Sequence, residues 1–315
     1  MFEKIIELIE KYDKIIIHRH QKPDGDALGS QLGLLGIIRD SYPEKKVYAV
    51  GDMTPRYAFM AESPMDELED AEYEGALAII LDTSAKELIS DGRYTLAAAT
   101  ARLDHHLFVE KIADEEVTDS SFESCCGLVA AMAMEAGLSV SASSAKALYT
   151  GMITDSGRFR YSSTSANTFR VAAFLIEKGF DTADIYRNLY SDELFFIQLR
   201  AKFVLRIKVT PDRVGYIYTT KEEAAEYGAD SFTLSRGMVN VMSEVKGIDS
   251  WVNFTETENG VLCEIRSSLY NINPIAVKYG GGGHQMASGA TLRDRDEAMS
   301  LLEDLNALGR EGGQI

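Results

Sequence analysis

The stretch KIIIHRHQKPDGDALGS (residues 14–30) decides the fold of this chain, because an apolar run ends in it and a polar loop leads into a helix-like segment. Lys14–His18 is predicted to be a buried strand, and Asp26–Arg39 the helix that follows. Further strands without polar alternation are predicted at Lys46–Val50, Ala76–Leu81 and Ala97–Leu103. Such strands between helices predict an α/β fold, with a parallel sheet that has helices on both faces.

The second half of the chain changes in character after Pro211. Strands are predicted at Arg213–Thr220, Ser250–Thr257 and Val261–Arg266. The Asn259-Gly260 pair between the last two predicts a hairpin. We therefore expect a first domain of residues 1–190, a helical linker of residues 191–210 and a smaller α/β domain of residues 211–315. The functional site is expected in the cleft between the two domains.

Composition excludes several classes of protein. The net charge of −17 argues against a coat for long nucleic acid and against binding to an anionic membrane surface, but it leaves room for a short phosphorylated ligand. Three cysteines, two of them adjacent, predict buried thiols in a reducing compartment rather than a disulfide framework. A charged N-terminus and the lack of an apolar run of ~20 residues favour a cytoplasmic protein, and a homodimer is compatible with the sequence.

All five histidines lie in three short segments that are rich in aspartate or glycine. His18 and His20 belong to the quoted stretch, His105 and His106 follow an aspartate, and His284 ends a run of four glycines. Neutral imidazole and carboxylate groups together suit divalent transition metals. The clustering of histidines beside aspartates therefore predicts a metalloenzyme.

These ligand types follow the ends of successive predicted strands. They are His20, Asp24 and Asp26 after the first strand, Asp82 after the third, and Asp104, His105 and His106 after the fourth. Because ligand sites of open parallel sheets lie at the carboxyl ends of the strands, these residues should share one crevice, with Asp155 as a further ligand. Asp82 has two oxygens and could bridge two ions, and ion pairs ~3.5–4 Å apart serve in-line displacement at phosphorus. His18 should point to the other side of the strand end.

Two further groups of residues have two readings each. The run Gly280–Gly283 is either a flexible linker or a loop whose amides, with His284, approach a phosphate; it is no Walker A loop, since no Lys-Ser/Thr follows it. Arg266, which precedes Ser267 at a predicted strand end, and Arg160, near Asp155, are either ion-paired surface residues or phosphate ligands.

Taken together, these motifs resemble the DHH/DHHA1 phosphoesterases over nearly the whole chain. The matching segments are His20 to Ser30, Leu81-Asp82-Thr83, Asp104-His105-His106, Thr154 to Tyr161 and Gly281 to His284. The two-domain layout is most similar to a stand-alone subgroup of that family. Its members degrade very short RNA and dephosphorylate adenosine 3′,5′-bisphosphate (pAp).

The resemblance implies two manganese ions, with Mg²⁺ or another divalent ion as an alternative. One ion would bind His20, Asp24 and Asp82, and the other Asp26, Asp82, His105 and Asp155. His106 would face the substrate phosphate with support from Asp104, and these two with Asp82 form the predicted catalytic set. The predicted substrate-binding residues are Arg160, Arg266, Ser267, Gly282, Gly283 and His284.

The expected function is hydrolysis of short oligoribonucleotides to mononucleotides and removal of the 3′-phosphate of pAp. A first alternative is a phosphodiesterase for linear or cyclic dinucleotides such as pApA and cyclic di-AMP. Pyrophosphatase or exopolyphosphatase activity is a second, although the motifs have few basic neighbours. A non-catalytic nucleotide-binding regulator is the third, and it would be expected to lack a metal ligand.

Overall fold

The computed structural model describes residues 1–61 and 64–312 and forms two compact units, Met1–Ser191 and Asp192–Ile315. The first unit contains a five-stranded sheet in the order β2-β1-β3-β4-β5, in which every neighbouring pair is parallel. Its strands are β1 (Lys14–His18), β2 (Lys46–Ala49), β3 (Leu77–Leu81), β4 (Ala99–Asp104) and β5 (Glu115–Thr118). Its α-helices are α1 (Glu3–Lys11), α2 (Gly25–Ser41), α3 (Cys125–Ala136), α4 (Ala142–Asp155), α5 (Ala166–Ile176) and α6 (Thr182–Tyr190).

Both faces of this sheet are covered, as the unalternated strands predicted. Leu77, Ile79 and Leu81 of β3 belong to a core that also contains apolar residues of α1 to α6. Ala78 and Ile80 point to the opposite face, where short 3₁₀ helices and loops cover the strands. Every residue of β3 is buried, because each side of the strand has a cover of its own.

The close packing of α2 on α4 positions two parts of the site. A Cβ on Gly29 of α2 would lie 2.6 Å from the carbonyl oxygen of Ala147 in α4, so only glycine allows the helices to approach this closely. Asp24 caps α2, because its side chain accepts hydrogen bonds from the amides of Asp26 and Ala27. The beginning of α2 and the end of α4 therefore reach the same edge of the sheet.

The second unit is a mixed six-stranded sheet with helices, in the strand order β10-β11-β9-β8-β7-β6. Its strands are β6 (Lys208–Val209), β7 (Val214–Thr219), β8 (Ser250–Thr257), β9 (Gly260–Ser267), β10 (Gly282–His284) and β11 (Ala287–Leu292). Its α-helices are α7 (Leu194–Val204), α8 (Lys221–Glu226), α9 (Asn273–Lys278) and α10 (Arg295–Arg310). The hairpin predicted at Asn259-Gly260 is confirmed, since Thr257 pairs with Gly260 across β8 and β9.

Two segments that were candidates for linkers, residues 191–210 and the glycine run, form regular structure in the second unit. The helix predicted around residues 191–210 is α7, and its Leu199 and Phe203 are buried in a core of the second unit. The glycine run does not form a flexible linker, because Gly282 and Gly283 pair with β11 as the edge strand β10. None of the helices in the described part of the chain is long and apolar enough to cross a membrane.

Candidate metal centre

The candidate metal centre lies where the parallel strands of the first unit end. His20 follows β1, Asp82 follows β3, and His105 and His106 follow β4. Their imidazoles and carboxylates form three overlapping groups, each with its ligand atoms within 4.8 Å of one another. The groups are His20, Asp24 and Asp82; Asp26, His105 and Asp155; and Asp82, His105 and His106. The structure thus brings all six predicted metal ligands to one place.

His20 presents one ring nitrogen to two carboxylates. Its Nδ1 lies 2.8 Å from the carbonyl oxygen of Gln21 and donates to it, which leaves Nε2 facing the site. Nε2 lies 3.5 Å from Oδ2 of Asp82 and 3.9 Å from Oδ1 of Asp24. Ligand atoms that are each about 2.1 Å from one ion lie about 3–3.5 Å apart. The three side chains would therefore need to approach one another only slightly to bind an ion.

His105 is the centre of the second group. Its Nε2 lies 3.5 Å from both Oδ1 of Asp82 and Oδ2 of Asp155, and 3.7 Å from Oδ2 of Asp26. Asp82 therefore directs Oδ2 to His20 and Oδ1 to His105. One carboxylate shared in this way between two groups is the arrangement expected of a ligand that bridges two ions.

Asp82 has two features that favour a bound cation. It adopts a left-handed backbone conformation with φ of 48°, which is rare outside glycine and which directs the carboxylate into the site. Its Oδ1 is buried and has no hydrogen-bond partner among the residues that the structure describes. Because a buried carboxylate oxygen without a hydrogen bond is costly, a cation at this point would satisfy it, and the donor set fits a divalent transition metal.

Asp26 is fixed by the beginning of α3. Its Oδ2 accepts a hydrogen bond from the amide of Cys125 at 2.7 Å, and its Oδ1 accepts one from Cys126 at 2.8 Å. A helix N-terminus favours a carboxylate. Burial nevertheless raises the pKa of Asp26 well above its usual range, and the nearby charges of Asp82 and Asp155 raise it further. The two adjacent cysteines are free buried thiols, as predicted, and their backbone amides orient this ligand.

The crowded carboxylates also shift other groups. Burial, together with the charges of Asp82 and Asp24, raises the pKa of Asp155 to about 6, although His105 opposes the shift. Burial alone would lower the pKa of His20, but hydrogen bonding to Asp82 and to the Gln21 carbonyl raises it to about 9. Each of these shifts favours the protonated form of the group.

A buried chain of polar contacts holds His106. Arg102 donates from Nη2 to Oδ2 of Asp104, and Oδ1 of Asp104 accepts from Nδ1 of His106 at 2.7 Å. The hydrogen bond with Asp104 raises the pKa of His106, although burial opposes the shift. Sequence reasoning missed Arg102, because we treated its strand as an apolar run.

Adjacent side chains of an extended segment point in opposite directions, but the two histidines of this motif do not. Their ring centroids lie 4.6 Å apart, and Nδ1 of His106 lies 3.6 Å from Oδ1 of Asp82. The chain leaves β4 at Asp104 and bends at His106, so the alternation of a strand no longer applies. Because Asp104 binds Nδ1, the other ring nitrogen of His106 is the one available for a substrate.

His18 lies away from these groups, as its position in the strand suggested. It is fully buried on the other face of the sheet, with ring centroids 5.8 Å from Tyr73 and 6.2 Å from Tyr94. Arg160, near the end of α4, is exposed and donates from Nε to the carbonyl oxygen of Gly157 at 3.1 Å. It lines a small pocket with Arg56.

The predicted substrate-binding residues of the second unit lie on β9, β10 and the adjoining turn. Arg266 of β9 pairs with Glu264 at 3.0 Å, and Arg266 and Ala287 are partners in the β9–β11 register. The hydroxyl of Ser267 accepts hydrogen bonds from the amides of Leu269 and Tyr270, so it also stabilises a turn. His284 is exposed at the end of β10, after Gly282 and Gly283.

Comparison with known proteins identifies related chains over the full length. A family model described as the DHH family, N-terminal domain, matches residues 14–152, and one described as the DHHA1 domain matches residues 229–311. A Bacillus subtilis (strain 168) protein named bifunctional oligoribonuclease and PAP phosphatase NrnA is 33% identical, over 99% of each chain. A Streptococcus mutans protein named probable bifunctional oligoribonuclease and PAP phosphatase NrnA is 32% identical, over 98% of each.

A solved structure agrees with these matches. The crystal structure of an exopolyphosphatase-related protein from Bacteroides fragilis superposes with a TM-score of 0.83 and 27% identity, covering 99% of this chain and 97% of that one. The motifs, the strand-end cluster and the full-length relatives agree, and the chain belongs to the DHH family, with an N-terminal DHH domain and a C-terminal DHHA1 domain.

Proposed function

We propose that the protein is a metal-dependent phosphoesterase that hydrolyses short oligoribonucleotides to mononucleotides and removes the 3′-phosphate of pAp. The observation that carries this proposal is the carboxylate of Asp82, which lies 3.5 Å from His20 of one ligand group and 3.5 Å from His105 of the other. The full-length relatives named as oligoribonucleases and PAP phosphatases support the choice of substrate. Two divalent ions would occupy the groups, and Mn²⁺ is the ion we favour.

The residues of the two groups have separate tasks in this proposal. His20, Asp24 and Asp82 would hold one ion, while Asp26, His105 and Asp155 would complete the other site together with Asp82. When bound, such ions supply an activated water and neutralise phosphate oxygens. The ions, rather than lysine or arginine side chains, would then neutralise the phosphate, which agrees with the acidic character of the whole chain.

His106 is placed to act on the substrate itself. Asp104 accepts a hydrogen bond from Nδ1 of His106, so Nδ1 keeps its proton. In the protonated ring Nε2 carries the second proton and can donate it. We propose that His106 binds a phosphate oxygen through this nitrogen and donates its proton to the ribose oxygen that leaves. General acid catalysis of this kind increases the reaction rate by about 10²- to 10⁴-fold.

The DHHA1 domain would bind the remainder of the substrate. Arg266 has a planar guanidinium held by Glu264 and could bind a phosphate bidentately. Ser267, Gly282, Gly283 and His284 would contribute backbone and side-chain donors, and Arg160 of the first domain a further cation. Because this set is small, it suits a substrate of a few nucleotides rather than a long strand.

The test is Mn²⁺-dependent turnover on a panel of substrates. The panel holds an RNA dinucleotide and pentanucleotide, a 24-mer, pAp, pApA, cyclic di-AMP and pyrophosphate. We expect rapid hydrolysis of the short RNAs and pAp, slow hydrolysis of the 24-mer, and loss of activity in Asp82→Ala. Asp40→Asn is the matched control, because Asp40 is an exposed carboxylate at the far end of α2.

The panel also separates the rival functions. Turnover confined to pApA and cyclic di-AMP would replace the proposal with a dinucleotide phosphodiesterase. Turnover confined to pyrophosphate would indicate a pyrophosphatase. Wild-type protein that binds Mn²⁺ but hydrolyses nothing on the panel would contradict the proposal and favour a nucleotide-binding regulator.

A further inference from the structure

Three consecutive apolar residues are exposed directly after the histidine pair. Leu107, Phe108 and Val109 are 77%, 62% and 64% exposed, and we call them the apolar tip. Single exposed apolar residues are common on soluble proteins, whereas contiguous ones mark binding surfaces. The tip is unexpected on so acidic a chain, and the proposed hydrolysis does not use it.

The apolar tip projects from a base that is held on both sides. The buried Arg102 donates from Nη2 to Asp104, before the tip, and from Nη1 to the carbonyl oxygen of Glu110, after it, at 3.1 Å. The side chain of Glu110 in turn accepts from the amide of Lys86 at 3.0 Å. One guanidinium thus fixes both ends of the segment, so less conformational freedom remains to be lost when a ligand binds the tip.

The tip is also close to the proposed reaction centre. Leu107 is bonded to His106, whose Nδ1 lies 3.6 Å from Oδ1 of Asp82. Since an extended residue spans at most about 3.6 Å, the Cα of Phe108 lies within about 7 Å of that of His106. A phosphate bound at the histidines would bring the attached nucleoside into this neighbourhood.

A nucleobase is the ligand whose chemistry fits such a surface. Its two faces are apolar and aromatic, and exposed aromatic side chains bind them by stacking without regard to sequence. Inorganic phosphate chains offer nothing that an apolar surface would bind. We propose that the apolar tip binds a nucleobase of the substrate, with Phe108 stacking on it, an inference that rests on the proposed phosphoesterase function.

The test compares two substrates that differ only in the base. One is pAp, and the other is its abasic analogue, a tetrahydrofuran 3′,5′-bisphosphate. Turnover and calorimetric binding of both are measured with Mn²⁺ for the wild type and for Phe108→Ala, Phe108→Trp and Phe195→Ala. Phe195 is the matched control, since it is another exposed phenylalanine, on α7, and contacts Phe196.

We expect Phe108→Ala to lower kcat/KM and affinity for pAp by about 5- to 150-fold, the scale of one stacked base, and to leave the abasic analogue unchanged. Phe108→Trp should retain most of the preference for pAp, and Phe195→Ala all of it. An equal effect of Phe108→Ala on both compounds, or on neither, would overturn the inference. If the proposed phosphoesterase function were wrong, the wild type would turn over neither compound. Calorimetric binding of pAp and of the abasic analogue would still measure the contact with the base.

Discussion

Arg102 donates a hydrogen bond to Asp104, and neither side chain is exposed to solvent. Burial alone would raise the pKa of Asp104, but the partners His106 and Arg102 lower it, so the carboxylate stays charged. A buried carboxylate can remain ionised only with such partners. Arg102 thereby keeps the charge on Asp104, and Asp104 orients His106.

The first prediction concerns stability. Replacing Arg102 by methionine leaves the carboxylate of Asp104 buried with fewer partners, and breaking a buried pair in this way costs about 3–5 kcal/mol. We expect the free energy of unfolding to fall by that amount, and by less for Arg102→Lys, which retains the charge. Urea unfolding at pH 7 with EDTA measures it.

The control is Arg187→Met, which breaks the ion pairs of a side chain that is 66% exposed. Exposed pairs contribute about 0–1 kcal/mol, so this variant should be nearly as stable as the wild type. If Arg102→Met cost no more than Arg187→Met, the buried pair would not stabilise the loop that carries His106.

The second prediction concerns the pH dependence of turnover. The hydrogen bond to Asp104 is the main cause of the raised pKa of His106. If His106 donates a proton, the rate falls as pH rises through that pKa. Asp104→Asn removes the negative charge and lowers the pKa of His106, so the alkaline limb should move to lower pH.

The same variant should lose about 10²-fold in kcat, because general acid catalysis weakens. The measurement is kcat for pAp between pH 6 and 10 at saturating Mn²⁺, with Asp40→Asn as control. An alkaline limb at the wild-type pH in Asp104→Asn would exclude His106 as the proton donor.

Much of the first unit was predictable because burial leaves a strong pattern. The strand Lys14–His18 was predicted with the bounds observed, since a strand covered on both faces is apolar throughout. The clustering of ligands followed from the parallel arrangement, because carboxyl ends of such strands meet at one edge. Arg102 was also predictable in principle: a cation inside a buried strand needs a partner, and Asp104, two residues later, shares its face.

Other elements left weaker signals. Glu115–Thr118 forms the edge strand β5 with half-buried, partly acidic residues, so its sequence resembles a loop. The hairpin of β10 and β11 is rich in glycine, alanine and serine, which favour no strand. These segments become strands only because they form backbone hydrogen bonds with neighbouring strands of the folded sheet. The bend at His106 was equally hidden, because it depends on the side chain of Asp104 accepting from the amide of His106.

The third prediction concerns metal binding. Without metal, the pKa of His20 is about 9 and that of Asp155 about 6, and the pKa of Asp26 is raised. These groups must lose their protons to bind an ion, so binding releases protons. The apparent affinity for Mn²⁺ should therefore rise by up to about tenfold per pH unit between pH 6 and 9, and more steeply near pH 6.

Calorimetry in two buffers with different ionisation enthalpies gives both the affinity and the number of protons released. His20→Gln is the informative variant, because it removes the group that titrates near pH 9. Its weaker binding should depend much less on pH above 7. An affinity for Mn²⁺ that is constant from pH 6 to 9 in the wild type would contradict the assigned ligand role of His20.

The last prediction concerns His18 and acid stability. Burial lowers the pKa of His18 to about 4, against an ordinary value of 6.5 for the unfolded chain. Below pH 6.5 the unfolded chain binds a proton that the folded protein excludes, so stability from this residue is full above pH 6.5 and is lost as pH falls to about 4. The loss approaches about 3 kcal/mol.

His18→Leu should remove this dependence while keeping an apolar contact with Tyr73 and Tyr94, which flank His18. The free energy of unfolding of the variant is compared with that of the wild type by urea titration at pH 4.5 and pH 7.5, with EDTA in both. Relative to the wild type, the variant should gain about 2–3 kcal/mol at the lower pH. Burial alone would raise the pKa of Asp91, the carboxylate that interacts with His18, but its hydrogen bonds to Arg93 lower that pKa to about 2, so Asp91 is ionised at both pH values. The stability difference between the two proteins could instead be the same at both pH values. That result would mean that His18 becomes protonated in the folded protein, and that its site between Tyr73 and Tyr94 tolerates the charge.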